Sequence, residues 1–244
     1  MKFSRVIWAR LHSSARVWIA VIVIFTLQEP SSLAAQSAPP TYRAGLKSIA
    51  IPAPSDLVEP GSDYRVLLEP LAPINNRLVA AFVQKSDLDA IRSGSAPALT
   101  RYALVEIPRR AEFANVSPEL FKQITDGMAQ QFGAEVNSTL KQQQDEVNRR
   151  IQALSSGASS VTLEKPVQLG TLFCKPNSCA FGLIMPVTTK GTTTRMLMAV
   201  VVMRVQERVL FGYLYTEFKD QDSVKWVSAT EEQWADAMLK ANAQ

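Results

Sequence analysis

From residue 167 onward, apolar runs alternate with short polar breaks. Residues 167–173, 180–187, 194–205 and 208–218 are separated by the turn-like segments KPNS, TKGT and QE. That spacing predicts a meander of four antiparallel strands. In residues 196–203 (MLMAVVVM) both alternation classes are apolar, and residues 209–215 are nearly the same. A strand apolar on both faces must be covered on both. The pattern therefore argues against a one-layer barrel wall and for a sheet with helices packed on each side.

Earlier in the chain the strand candidates are residues 48–51, 64–68, 77–84 and 99–107, punctuated by Pro52, Pro54, Pro60, Gly61, Pro70 and Pro73. Order is expected to begin near Ser48. Ser86 is placed to cap a short helix over residues 87–92, which the SGSAP run at 93–97 ends. Ser117, Pro118 and Glu119 form a strong helix start. Leu120, Ile124, Met128 and Phe132 then recur every four residues as the expected buried stripe. A break or bend is expected at Gly133, beyond which the apolar pattern weakens. Because a heptad register puts Gln143 and Arg150 at core positions, a coiled coil is not expected. The SSGASS run at 155–160 closes this element. Asp222 is the expected cap of a last helix running to about Ala241, with Val224, Val227, Trp234, Met238 and Leu239 as its stripe. The fold class is α+β: a largely antiparallel sheet with helices packed on both faces, an α/β/α sandwich, as a single domain over residues 42–241.

The start of the chain has a different character. Residues 1–16 carry four basic side chains and no acid, and VWIAVIVIFTL follows at 17–27. A basic stretch before an apolar run reads as a secretory signal. Spanning a bilayer takes about 20 apolar residues, and this run stops at Gln28, Glu29 and Pro30. Small residues place cleavage after Ala34 or Ala35, the latter favoured, so that residues 1–35 are a signal peptide and 36–41 a flexible lead-in. The expected location is the periplasm or the exterior. The alternative is an uncleaved signal that holds the domain at the inner membrane.

Charge and composition narrow the chemistry. The formal net charge is +4, but Lys2, Arg5, Arg10 and Arg16 against Glu29 supply most of it. The remainder is nearly balanced and shows no electrostatic footprint for nucleic acid. The one histidine, His12, lies in the leader, so the exported part has no Ser/His or Cys/His catalysis and no histidine metal site.

Cys174 and Cys179 flank a four-residue break between two strands. Two cysteines in an exported chain usually pair, and the C-x4-C spacing lacks the helix start that would lower a thiol pKa for the rival redox role. Trp226 and Trp234 lie on the last helix about 80° apart. They pack on the sheet or, alternatively, line a groove. Ser138 and Lys141 match S-x-x-K, but Lys190, Gly191 and Thr192 have the partner motif in the wrong order, so a solvated helix face is the simpler account. The pairs Asp87/Asp89 and Asp220/Asp222 lack the further ligands a calcium loop needs. No metal, cofactor or catalytic residue is assigned.

The opening SIAIPAP at Ser48, RLVAAF at Arg77, RYALVEIPR at Arg101, the helix from Ser117, the pair around MLMAVVVMRVQERVLFGYLY and the closing helix together resemble the Mog1/PsbP-like α/β/α sandwich family. The resemblance covers nearly all of the exported chain. It implies a small noncatalytic domain that binds proteins or assists assembly, here an exported bacterial member. No functional residue carries over from it. A protein partner is expected, with membrane contact only if the signal stays uncleaved. Two alternatives remain open: a histidine-independent hydrolase or transferase using Ser138 with Lys141 or the acids Glu106, Glu112 and Glu164, and a carrier of an apolar ligand.

Overall fold

In the computed structural model, residues 38–61, 68–69, 72–95, 98–154, 161–189 and 191–243 are described. All belong to the unit Ala38–Gln244. The leader and most of the 64–68 strand candidate lie outside them. Among the described residues no helix is long and apolar enough to cross a membrane.

Order begins before Ser48. β1 (Thr41–Ala44) pairs antiparallel with β2 (Lys47–Ala50) as a separate two-stranded hairpin turning at Gly45 and Leu46. Thr41, expected in the flexible lead-in, thus opens a strand, because Ala44 and Ile49 bury completely against the main sheet's core. Among the described residues that sheet has seven strands. They are β3 (Asn76–Val83), β4 (Arg101–Pro108), β5 (Val161–Leu163), β6 (Val167–Lys175), β7 (Ser178–Thr189), β8 (Thr192–Val205) and β9 (Arg208–Glu217). Their order is β3-β4-β9-β8-β7-β5, with β6 also on β7, and every pairing is antiparallel. The expected meander is β6 to β9; β5 carries too short an apolar signal to be read from sequence.

Helices cover both faces, as the doubly apolar strands require. α1 (Lys85–Arg92) and the start of α2 (Pro118–Leu154) lie on one face, and α3 (Gln221–Ala241) on the other. Under α3, Ala103, Val105, Val201, Met203 and Leu210 meet Val227, Trp234 and Met238. Opposite, Leu104 and Val83 pack with Leu88 of α1, while Val202 and Phe181 pack with Phe121 of α2.

Several local expectations shift. α1 takes Gln84 at its N-cap with no side-chain cap. Ser86 sits inside the helix, and Asp87 instead turns back to accept the Ala98 and Leu99 N–H groups at 2.9 and 3.2 Å. Ser117 caps α2, its Oγ accepting from the Leu120 N–H at 3.2 Å. The buried stripe of that helix runs through Phe121, Ile124, Thr125 and Met128, whereas Leu120 faces solvent. α2 continues unbroken past Gly133, since one glycine costs a helix only about 1 kcal/mol. The cap of α3 is Asp220, which accepts from the Asp222 and Ser223 N–H groups in a capping box with Ser223. Asp222 pairs with Lys225 at 2.8 Å.

β6 and β7 turn tightly through Pro176 and Asn177. This places Cys174 opposite Cys179 in register, with Cα atoms 4.1 Å apart and their sulfurs bonded. A covalent loop this short stabilises by about 2 kcal/mol on the chain-entropy model. Replacing both cysteines by serine is expected to lower the urea-unfolding free energy by about 2 kcal/mol or less while far-UV circular dichroism stays unchanged, because a core of this size does not depend on one short loop. Loss of the folded spectrum would contradict that account.

Candidate functional site

The disulfide-closed hairpin forms one wall of a groove. β6 carries two register shifts, one around Gly170 at φ +80° and one between Thr171 and Phe173. The kinks bring Leu169 and Leu172 onto the same face, above Gly182. A Cβ at Gly182 would lie 3.0 Å from Leu172 and 3.2 Å from Leu169. Leu172 then faces the first half of α3 across a shallow, open depression of about 420 Å³, lined also by Gln221, Val224, Lys225, Ser228, Ala229 and Glu232.

Both walls are restrained. The capping box fixes the start of α3. Lys175, next to the disulfide, reaches from β6 to Glu232 at 2.9 Å and to Asp236 at 2.8 Å on α3. Hydrogen bonding to Asp236 and then Glu232 raises the Lys175 pKa above its ordinary value, so the tie keeps its charge. A lining of small, amide, hydroxyl and paired charged groups around Leu172 and Val224 suits a polypeptide surface. A small-molecule site instead encloses most of its ligand.

Of the two tryptophans, Trp234 is a core residue, 2% exposed. It meets Phe82 edge to face at 6.0 Å and donates its Nε1–H to the Pro52 carbonyl at 2.8 Å, so it does not line a groove. Trp226 is half-buried under the Arg101 guanidinium, 4.4 Å from its ring centroid. The groove on α3 uses neither ring. Lys141 is exposed on α2, and the Ser138 side chain lies outside the described residues.

The three acids singled out from sequence do not converge. Glu164 is exposed. Glu112 is held by Arg77, whose hydrogen bond keeps its carboxyl below the ordinary value. Glu106 is different: it lies 1% exposed on the α1/α2 face of β4. It takes the Asn76 side-chain N–H at 2.7 Å, in register with Phe211 and close to Tyr213. Desolvation raises its pKa to about 7 against the opposing Asn76 bond. Tyr213, Tyr215 and Tyr102 form a ribbon on the same face, with Tyr102 stacked on Tyr215 at 4.3 Å, and burial pushes all three phenols upward.

Glu231, which sequence reading passed over, is fully buried beneath α3. The Val201 peptide approaches it, but neither carboxyl oxygen reaches hydrogen-bond geometry, and desolvation raises its pKa well above the ordinary value. Its position three residues before Trp234 on the buried stripe was the available signal. Among the described residues no group of three His, Cys, Asp or Glu side chains forms a metal ligand set.

No family model matches the chain, and no curated protein matches it. Among solved structures it is similar to the Saccharomyces cerevisiae Ran-binding protein Mog1p, with 10% identity over 80% of this chain and 87% of that one at a TM-score of 0.33. It is also similar to a point mutant of protein Mog1, with 11% identity over 83% of this chain and 94% of that one at a TM-score of 0.33.

Glu106 gives the fold a pH dependence of known sign. Its folded pKa of about 7 exceeds the ordinary 4.5, so between those values the folded protein keeps a proton that the unfolded chain has lost. Stability therefore falls as pH rises through that window, and Glu231 acts in the same direction. Glu106→Gln is expected to remove one group's share of the slope, at most about 1.4 kcal/mol per pH unit. Urea midpoints at pH 5 and pH 8 should show the variant gaining on the parent at the higher pH. An unchanged slope would remove Glu106 from this role.

Proposed function

We propose that the chain is an exported, noncatalytic envelope domain that binds a segment of another protein in the groove between β6 and α3. A groove open to solvent but walled by two tied elements carries this reading: Cys174–Cys179 closes one wall, Asp220 and Ser223 cap the other, and Lys175 joins them. Such preorganisation lowers the ordering cost of binding. The bulges in β6 disfavour strand addition at its outer edge, so the partner docks through side chains onto Leu172 and Val224.

A disulfide suits an oxidising compartment, which supports residues 1–35 as a cleaved export signal ahead of one α+β domain. The same reading makes the chain an exported member of the Mog1/PsbP-like class, supported by the order of its strands and helices.

A photo-crosslinking residue at Ser228 is expected to capture one defined protein in cells. Ala237, exposed further along α3, should give none, and Leu172→Glu should abolish the capture at Ser228. Equal yields at Ser228 and Ala237 would discard the groove. N-terminal sequencing of the exported protein is expected to begin at Gln36; an intact leader would replace processing by membrane anchorage.

A further inference from the structure

Six large hydrophobic residues are exposed among the described residues, and four of them lie in loops or a first helical turn that flank one end of the main sheet. These are Leu46 in the β1–β2 turn, Ile74 before β3, Phe113 after β4, and Leu120 in the first turn of α2. Singly exposed apolar side chains need no explanation, but a cluster does.

Leu46 and Phe113 belong to one tip. Gly45, at φ +60°, lets the β1–β2 turn press onto the β4–α2 loop, where an added Cβ would meet the Glu112 carbonyl at 2.5 Å and the Phe113 ring at 3.3 Å. Arg77 locks the two loops together by donating to the Arg43 carbonyl at 2.7 Å and pairing with Glu112. Behind them, Arg204 and Arg208 donate to the Val116 and Ala114 carbonyls, each at 2.6 Å, and hold the β4–α2 loop against the sheet.

The tip is also cationic. Arg43, Lys47, Arg77, Arg109 and Arg110 lie on or beside these loops, where Arg77 pairs with Glu112 and Tyr42 donates to Glu59. Among the described residues the Arg43, Lys47 and Arg110 side chains take no ion-pair partner. A leucine and a phenylalanine at 76% and 66% exposure, in segments that also carry arginine and lysine without ion-pair partners, have the make-up of a surface that rests on anionic lipid. The apolar tips enter the headgroup boundary and the cations meet its phosphates.

We infer that the Leu46/Phe113 tip, with Arg43, Lys47, Arg109 and Arg110, docks the domain on an anionic membrane surface. The test is sedimentation of the protein as isolated from cells with vesicles of phosphatidylethanolamine containing about 30% phosphatidylglycerol, against vesicles of phosphatidylcholine alone. Parent and variants share the same N-terminus, so any contribution from a retained leader is common to all. Binding to the anionic vesicles is expected to weaken about tenfold or more in Arg109→Glu/Arg110→Glu, in Leu46→Ser/Phe113→Ser, and on raising salt from about 0.1 to 0.5 M. Arg109→Lys/Arg110→Lys and Val167→Ser should bind as the parent does. All the substituted side chains are exposed, and unchanged circular dichroism confirms folding. Equal binding to both vesicle types, or the same affinity in every variant, would overturn the proposal. Absence of binding to the anionic vesicles would overturn it as well, and a photo-crosslinker at Phe113 that then captured a protein would make the tip a protein interface.

Discussion

The seat of Trp234 over Gly212 holds this fold together. A Cβ at Gly212 would stand 2.8 Å from Val201 and 3.1 Å from both Met203 and the Trp234 ring, so only a bare backbone lets the indole settle onto β9. Once there, the ring touches Phe82 of β3, and its N–H satisfies a carbonyl of the segment that follows β2. One side chain thereby joins the last helix, a central strand, an edge strand and the segment that follows β2. Losing a fully buried tryptophan typically costs about 3 to 5 kcal/mol, a large share of a domain's net stability. The groove, the hairpin tie and the β1–β2 turn all take their places from the helix and sheet so fixed.

The two faces of the sheet use burial differently. Beneath α3 the core is largely apolar, and the carboxyl of Glu231 sits within it, where burial favours its neutral form because ionising it there would be costly. The opposite face carries a ribbon of tyrosines and a carboxyl poised near neutrality. Its cover comes from two helices entering at different ends, and Phe211, Tyr213 and Tyr215 are left half-buried between them. Long central strands apolar on both sides make both coverings obligatory.

Architecture was legible where one signal dominated. The runs in β8 and β9, apolar in both alternation classes, dictated a two-sided sheet, and the Ser117–Pro118 start located α2. Signals in competition misled. A strict four-residue spacing from Leu120 drifts off the helical period, so the true stripe falls on Phe121, Ile124 and Thr125. Asp220 and Asp222 look equally good as caps until Ser223, three residues after Asp220, completes the reciprocal bond. Thr41 lay in a stretch whose prolines argued against a strand, and only pairing with Ile49 and its neighbours reveals one. The candidate surfaces were least visible of all. Gly45 reaches Glu112 across 67 positions, and Lys175 reaches Asp236 across 61; neither encounter leaves a local pattern.

The kinks in β6 bear on self-association as well as on the groove. A long flat edge strand is a template for another copy of the same chain, and a chain still folding exposes such margins to other unfinished copies. With Gly170 in the left-handed region and two register shifts within nine residues, β6 departs from the straight ladder that a second strand would need. The bends that aim Leu169 and Leu172 inward thus also make this margin of the sheet a poor starting point for aggregation.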